Sequence, residues 1–253
     1  MRNKSGIPDF SFEIPLWEKG FEFVAGVDEV GRGAFAGSVV AGAVEFPLVG
    51  HVVRSARPCH PSNFNVVIND SKQLKAQQRE VAAIWIKENA LSWGIGEAGV
   101  GTINRLGIVN ATRMAMRKAI KEANLRLRQK DYDLQRNKVS VARGLQAVDF
   151  LLIDAFYIPR VRGLWKNRQL PIAGGDSKSF SIAAASIIAK VYRDILMRKL
   201  SKRYAYYGWD KNKGYGTQEH QKAILRYGTT VLHRTVFVET WENNLKLKTT
   251  TKN

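Results

Sequence analysis

Three acidic residues stand where β-strands should be ending. Asp28 and Glu29 follow the apolar run FVAGV, and Asp154 closes the run FLLI. A charge beside apolar neighbours is expensive unless something replaces its hydration. Carboxylate oxygens without His or Cys companions select hard cations, so Mg²⁺ or Mn²⁺ is the economical partner for such a group. A turn or cap is the plain alternative for any one strand-end Asp, and three together weigh against it. Asp176, in GGDSKS, is open to both readings: a fourth acid if its loop returns beside Asp154, or a cap ahead of a long helix. Asp194, four residues after Lys190, has the spacing of a helical ion pair and is read as structural.

Successive side chains on a strand alternate, so Asp28 and Glu29 cannot both face one way, and the strand is expected to end or bulge there. Gly31 and Gly33 in the adjoining GRG supply the freedom for that: glycine accepts φ > 0 and lets a substrate backbone approach closely. Arg32 between them offers a fixed fork of donors. A hairpin turn with an exposed Arg is the competing reading. His51, His60, His220 and His233 are too scattered to form a metal motif and are assigned no chemistry; His233, beside Arg234, is open to a site role or a structural one.

These residues need positioning elements. Phe21 to Val27 and Ser38 to Phe46 read as two strands of a hairpin joined by GRGAFAG. The stretch LVGHVVRSARPCHPSNFN reads as a loop, followed by a helix that Asp70 or Ser71 caps and that runs to about Leu91. LSWGIGEA reads as a strand. INRLGIVNATRMAMRKAIKEANLRLRQ reads as helical, with Gly107 dividing a short helix from a longer one starting near Asn110. KDYDLQRNKVSVARGLQ resembles a surface connection. VDFLLIDA reads as a strand buried on both faces, with a short strand near Leu170 to Ala173 after it. In FSIAAASIIAKVYRDILMRKL, Ala184, Ile188, Val191 and Ile195 form one helical stripe. The order of elements argues a mixed α/β layer fold.

The whole chain is strongly basic: 40 Lys and Arg against 22 Asp and Glu give a net charge of +18 over 253 residues. That excess attracts polyanions through counterion release, which makes nucleic acid the first partner to consider. The run KEANLRLRQK fits a solvated helix face that could track duplex phosphates. Cys59 is the sole cysteine, so no internal disulfide can form and a reducing, cytoplasmic location is expected. No apolar run reaches the roughly 18 residues of a membrane span, and no membrane partner is expected.

The motifs now resemble those of the type 2 ribonucleases H, the ribonuclease HII group. VAGVDEVGRGAFAGSVVAGAV is similar to the opening signature of that family, NDSKQL to its second, LLIDA to its third and GGDSKSFSIAAASIIAKVYRD to its fourth; NKGYGTQEH and HRTVF resemble its closing segments. The likeness keeps its order from about Val24 to Phe237. It implies a ribonuclease-H-like mixed sheet flanked by helices with a small helical C-terminal part. The expected division is an extension over 1–20, a catalytic domain over 21–200, a substrate-binding part over 201–245 and a tail from 246. Ala34 and Phe35 depart from the family pattern, and 128–147 looks like an insertion.

By the same resemblance Asp28, Glu29 and Asp154 would bind the metals, Asp28 bridging them, with Asp176 as the fourth catalytic acid. The family varies that fourth position, and the alternative five residues later is Ser181 here. Gly31, Arg32 and Gly33 would line the ribonucleotide, Tyr215 would pack on its sugar and sense the 2′-hydroxyl, and Lys72 would lie near the phosphates. The activity implied is endonucleolytic hydrolysis of RNA in RNA–DNA hybrids, including single ribonucleotides in duplex DNA. A two-metal mechanism, with Mg²⁺ or Mn²⁺, would leave 3′-hydroxyl and 5′-phosphate ends. The chain would act as a monomer. A DNA-cutting relative of the wider superfamily and a non-catalytic basic RNA-binding protein are the competing readings.

Overall fold

The computed structural model describes residues 7–47, 66–136 and 147–250. The expected loop over 48–65, with Cys59, His51 and His60, lies outside them. The chain forms two compact units, each discontinuous in sequence. The larger comprises Met1–Val30, Val40–Glu97 and Arg113–Val191; the smaller comprises Gly31–Val39, Ala98–Thr112 and Tyr192–Asn253. The residues of two long helices, α3 (Val100–Arg136) and α4 (Phe180–Arg203), are divided between the two units.

The larger unit is built on a five-stranded mixed sheet of order β3-β2-β1-β4-β5. The strands are β1 (Val24–Val30), β2 (Val39–Glu45), β3 (Ser92–Ala98), β4 (Phe150–Asp154) and β5 (Gln169–Ile172). β1 pairs antiparallel with β2 and parallel with β4, and β4 pairs parallel with β5. The apolar runs of β1, β2 and β4 are buried throughout most of their length, as strands covered on both faces require.

Glycine decides how closely the helices approach. A Cβ on Gly26 would stand 2.1 Å from the backbone carbon of Ser181, and one on Gly42 would stand 2.3 Å from the carbonyl oxygen of Ala185. The backbone of α4 therefore lies directly on β1 and β2. Gly94 and Gly96 do the same for α3 on β3, where a Cβ would meet the carbonyl oxygens of Ala119 and Ala115. The alternating GIG of a strand is matched there by alanines four apart on a helix.

Several expectations are corrected. β1 does not end or bulge at Asp28 and Glu29: both stay in register, opposite Gly42 and Ala41, because antiparallel pairing with β2 continues after the parallel pairing with β4 stops at Val27. The helix after NDSKQL is α2 (Ala76–Asn89), with Lys75 at its N-cap and not Asp70 or Ser71. Asp70 instead accepts from the Lys72 amide at 2.9 Å, a local turn that delays the helix. α3 continues through the expected surface connection to Arg136; residues 137–146 lie outside the described set. Gly107 interrupts α3 as expected, at φ +75°. Ile195 falls off the buried stripe of α4 and is 39% exposed.

Residues 7–18, part of the expected extension over 1–20, contribute several side chains to the core of the larger unit. Phe10 packs on Phe180 with ring centroids 4.6 Å apart, and Leu16 and Trp17 of α1 (Ile14–Glu18) are buried against Val24 and Leu152. Glu13 is fully buried and accepts from the Ser179 hydroxyl at 2.6 Å and the Ser181 amide at 3.0 Å, at the start of α4. Burial pushes its carboxyl above the usual range.

In the smaller unit α5 (Trp209–Asn212), α6 (Gln218–Tyr227) and α7 (Thr235–Thr250) enclose Met197, Tyr207, Trp209, Ile224 and Val238 with Ala36. The Thr217 hydroxyl caps α6, accepting from the His220 amide. α7 extends into the expected tail, to Thr250. Among the described residues no helix is long and apolar enough to cross a membrane.

Candidate active site

In the larger unit the sheet order makes β1 and β4 neighbours, so Asp28 and Asp154 arise from adjacent strands. The turn Gly175–Ser177 that follows β5 adds Asp176, because the Gly175 amide donates to Asp154 Oδ1 at 2.7 Å. Asp28 is 5% exposed. Its carboxyl is held well above the usual range, first by desolvation, then by the negative field of Glu29 and, to a lesser degree, of Asp154 and Asp176; a hydrogen bond with Ser186 works the other way. Asp154 is raised as well, by burial and by Asp176, against the Gly175 amide, Lys72 and Lys178. These are carboxylates sharing one field, the arrangement that a bound cation reverses.

The DSK segment ties the group together. Ser71 is buried and its hydroxyl lies 3.0 Å from that of Ser186, the residue hydrogen-bonded to Asp28. Lys72 Nζ donates to Asp176 Oδ2 at 2.9 Å, from a side chain that is largely exposed. Burial disfavours its ammonium, yet the bond to Asp176 and the fields of Asp176, Asp70 and Asp28 hold its pKa above the usual lysine value. Ser181 is fully buried, and its amide is engaged by Glu13.

Among the described residues no three His, Cys, Asp or Glu side chains already converge on one ion position. The donor chemistry nevertheless fits a hard divalent cation. Asp28, Glu29, Asp154 and Asp176 supply only carboxylate oxygens, and Asp28 is enclosed with no cationic hydrogen-bond partner among the groups that shift it.

The GRG residues and Tyr215 belong to the smaller unit. Gly31 has φ +85°, and a Cβ there would lie 2.0 Å from Nε of Arg193. Gly33 differs: its φ is not in the left-handed region and a Cβ would meet nothing within 4 Å. Arg32 is exposed. The loop is braced by two buried arginines, Arg193, which carries no sequence motif of its own, and Arg234, named in the sequence only beside His233. Arg193 donates to the carbonyls of Ser38, Ala36 and Lys213, and Arg234 donates to those of Gly37 and Arg32. Burial lowers both guanidinium pKa values. The amides of Phe35 and Ala36 both donate to the Gly214 carbonyl, and the Arg193 guanidinium lies 5.4 Å from the Tyr215 ring centre, so GRG and Tyr215 are parts of one braced assembly.

His220 and His233 buttress the same turn. His220 Nδ1 is 2.9 Å from the Tyr215 carbonyl, so it carries the proton; Nε2 then accepts from the Trp209 indole at 3.1 Å and lies 3.2 Å from His233 Nε2. His233 Nδ1 accepts from the Thr230 amide at 2.9 Å, which leaves its proton on Nε2. Burial and the neighbouring His220 push His233 down to about 4. The pair is a neutral structural relay.

Arg193, Arg234 and Ser186 left one trace in the sequence: polar residues inside otherwise apolar or helical stretches, which burial forces to find partners. Their partners come from segments up to 202 positions away, beyond what a local pattern can show.

The family model for ribonuclease HII matches residues 25–240. A protein of Caldanaerobacter subterraneus named Ribonuclease HII is 42% identical over 228 residues, covering 90% of this chain and 79% of that protein. The fold is similar to that of ribonuclease H2 from Pyrococcus horikoshii, with a TM-score of 0.55 and 20% identity, covering 88% of this chain and 99% of that one. It is also similar to a ribonuclease HIII (Bst-RNase HIII) described in complex with Mn²⁺, with a TM-score of 0.53 and 19% identity, covering 87% and 68% of the two chains.

Proposed function

The chain belongs to the ribonuclease HII family and is a metal-dependent endoribonuclease; on that premise we propose that it cuts the RNA strand of RNA–DNA hybrids, and single ribonucleotides embedded in duplex DNA, at the 5′ side of a ribonucleotide, leaving 3′-hydroxyl and 5′-phosphate ends. The observation that carries this reading is the field that Glu29, Asp154 and Asp176 exert on Asp28, acids carried by the adjacent strands β1 and β4 and the turn after β5, which leaves Asp28 enclosed and in need of a cation.

Asp28, Glu29 and Asp154 would hold Mg²⁺ or Mn²⁺, and a pair of such ions would supply the positive charge that phosphodiester hydrolysis needs at the attacking and leaving oxygens. Asp176 completes the set, and its bond to Lys72 keeps it oriented until the site is loaded. Ser186 holds the Asp28 carboxylate, and Gly175 holds that of Asp154. The exposed Lys72 offers its charge to the substrate phosphates. Gly31, Arg32 and Gly33 line the ribonucleotide, where the open space at Gly33 admits a backbone, and Tyr215 packs on the sugar and distinguishes ribose by its 2′-hydroxyl. The chain would act as a monomer, and the single cysteine supports a reducing, cytoplasmic setting.

The test is Asp154→Asn, which removes a ligating charge and preserves shape. Cleavage of a ribonucleotide-containing duplex should drop by about 10³ or more while duplex binding without metal stays within about threefold. Cleavage near the parent rate under saturating Mg²⁺ would refute the assignment.

A further inference from the structure

Three arginines gather in the larger unit with no carboxylate to pair them. Arg113 and Arg117 lie one turn apart on α3 and so share a face. Arg117 Nη1 donates to the Pro159 carbonyl at 3.2 Å, which puts Arg160, the next residue, beside it. Arg160 is exposed and holds φ +60°, a conformation that side-chain-bearing residues rarely adopt. The Arg113 Nε atom is buried without a hydrogen-bond partner. Among the described residues no Asp or Glu forms an ion pair with any of the three. Desolvation and then the fields of Arg160 and Arg113 lower the pKa of Arg117, so the groups repel one another as they stand.

Such a cluster costs free energy unless an anion relieves it. We propose that Arg113, Arg117 and Arg160 form a phosphate-binding subsite that grips the backbone of the bound duplex, an inference that rests on the nucleic-acid substrate argued above. Guanidinium forks match phosphate oxygens in geometry and charge, and none of the three is spent on a protein carboxylate. The subsite sits on the chain that leaves the catalytic strand: Arg160 is six residues beyond Asp154, in a loop pinned to α3 by the Arg117 bond. A grip there fixes the duplex relative to the strand that carries Asp154. It reads phosphate and not sugar, so it serves RNA-containing and all-DNA duplexes alike.

The test measures binding to two duplexes, one all DNA and one with a single ribonucleotide, by fluorescence anisotropy without metal across a salt series. Arg113→Gln/Arg160→Gln should lower the log–log salt slope by about 1 to 2 and weaken binding about tenfold, equally on both duplexes. Arg160→Gln alone, a loop change that keeps the same backbone demand, should give about half of that slope change, and Arg160→Lys should restore most of it. Unchanged slope and affinity would overturn the proposal. So would a loss confined to the ribonucleotide duplex, which would mark a sugar reader. Should the parent leave the ribonucleotide duplex uncut in Mg²⁺, the proposed activity fails, while the binding comparison still decides the subsite.

Discussion

Gly26→Ala probes the contact on which the geometry of the carboxylates depends. Gly26 and Asp28 lie two apart on β1 and face the same side, and Gly42 is the cross-strand partner of Asp28. The backbone of α4 covers both glycines, and Ser186 of α4 is the hydrogen-bond partner of Asp28. A Cβ at Gly26 would lie 2.1 Å from the Ser181 carbonyl carbon, where ordinary contact begins at 3.4 Å, so the helix must retreat by about 1.3 Å. Both sides are backbone, and no rotamer change can absorb the clash. Overpacking of this kind costs about 3 kcal/mol, the upper end of its usual range. For a chain of this length that lowers Tm by about 6–12 °C. Retreat of α4 also draws Ser186 from Asp28, and a displacement near 1 Å costs about 10²-fold in rate. Thermal unfolding and single-turnover cleavage read the two effects together. Gly33→Ala, whose Cβ meets open space, is the control and should leave Tm unchanged. A Gly26→Ala protein that melts within about 2 °C of the parent and cuts at a similar rate would refute the close-packing argument.

Two other outcomes follow from the smaller unit. His233 is neutral in the fold down to about pH 4, against 6.5 for an ordinary histidine. The unfolded chain therefore binds a proton first as pH falls, and stability drops by up to about 1.4 kcal/mol per pH unit between 6.5 and 4. Urea titrations of the parent and His233→Gln should differ in that slope, and parallel curves would contradict the neutral relay. Tyr215→Ala should slow cleavage at a lone ribonucleotide by more than it weakens duplex binding, and Tyr215→Phe should keep part of the rate; equal losses in rate and affinity for Tyr215→Ala would make Tyr215 a general contact.

Much of the scaffold was legible because it is local. The apolar run of β4 ending in Asp154, the break at Gly107 and the long helix α4 each show in a window of a few residues. The start of α2 was misplaced because Asp70 has the chemistry of a cap and uses it in a turn six residues earlier than Ala76. β1 runs past Asp28 because its partner β2 continues, a matter of register that alternation alone does not reveal. The carboxylates were legible as charges against apolar runs; their supports were not. Glu13 serves the start of α4 from 166 residues away, and Arg234 braces the GRG loop from 202 away. Those contacts exist only after the chain has closed. The burial of Leu16 and Trp17 was missed for the same reason: the segment carries no periodicity, and its apolar residues find their partners on distant strands.

The central claim is that one ribonucleotide in a DNA duplex suffices for cleavage. The direct measurement incubates the parent protein in Mg²⁺ or Mn²⁺ with four duplexes: all DNA, one ribonucleotide, four consecutive ribonucleotides, and a full RNA strand on DNA. The product ends are then mapped. The account predicts no cutting of the first and a single cut at the 5′ side of the lone ribonucleotide in the second, with the third and fourth also cut. Cleavage of the all-DNA duplex, or a requirement for four consecutive ribonucleotides, would contradict it.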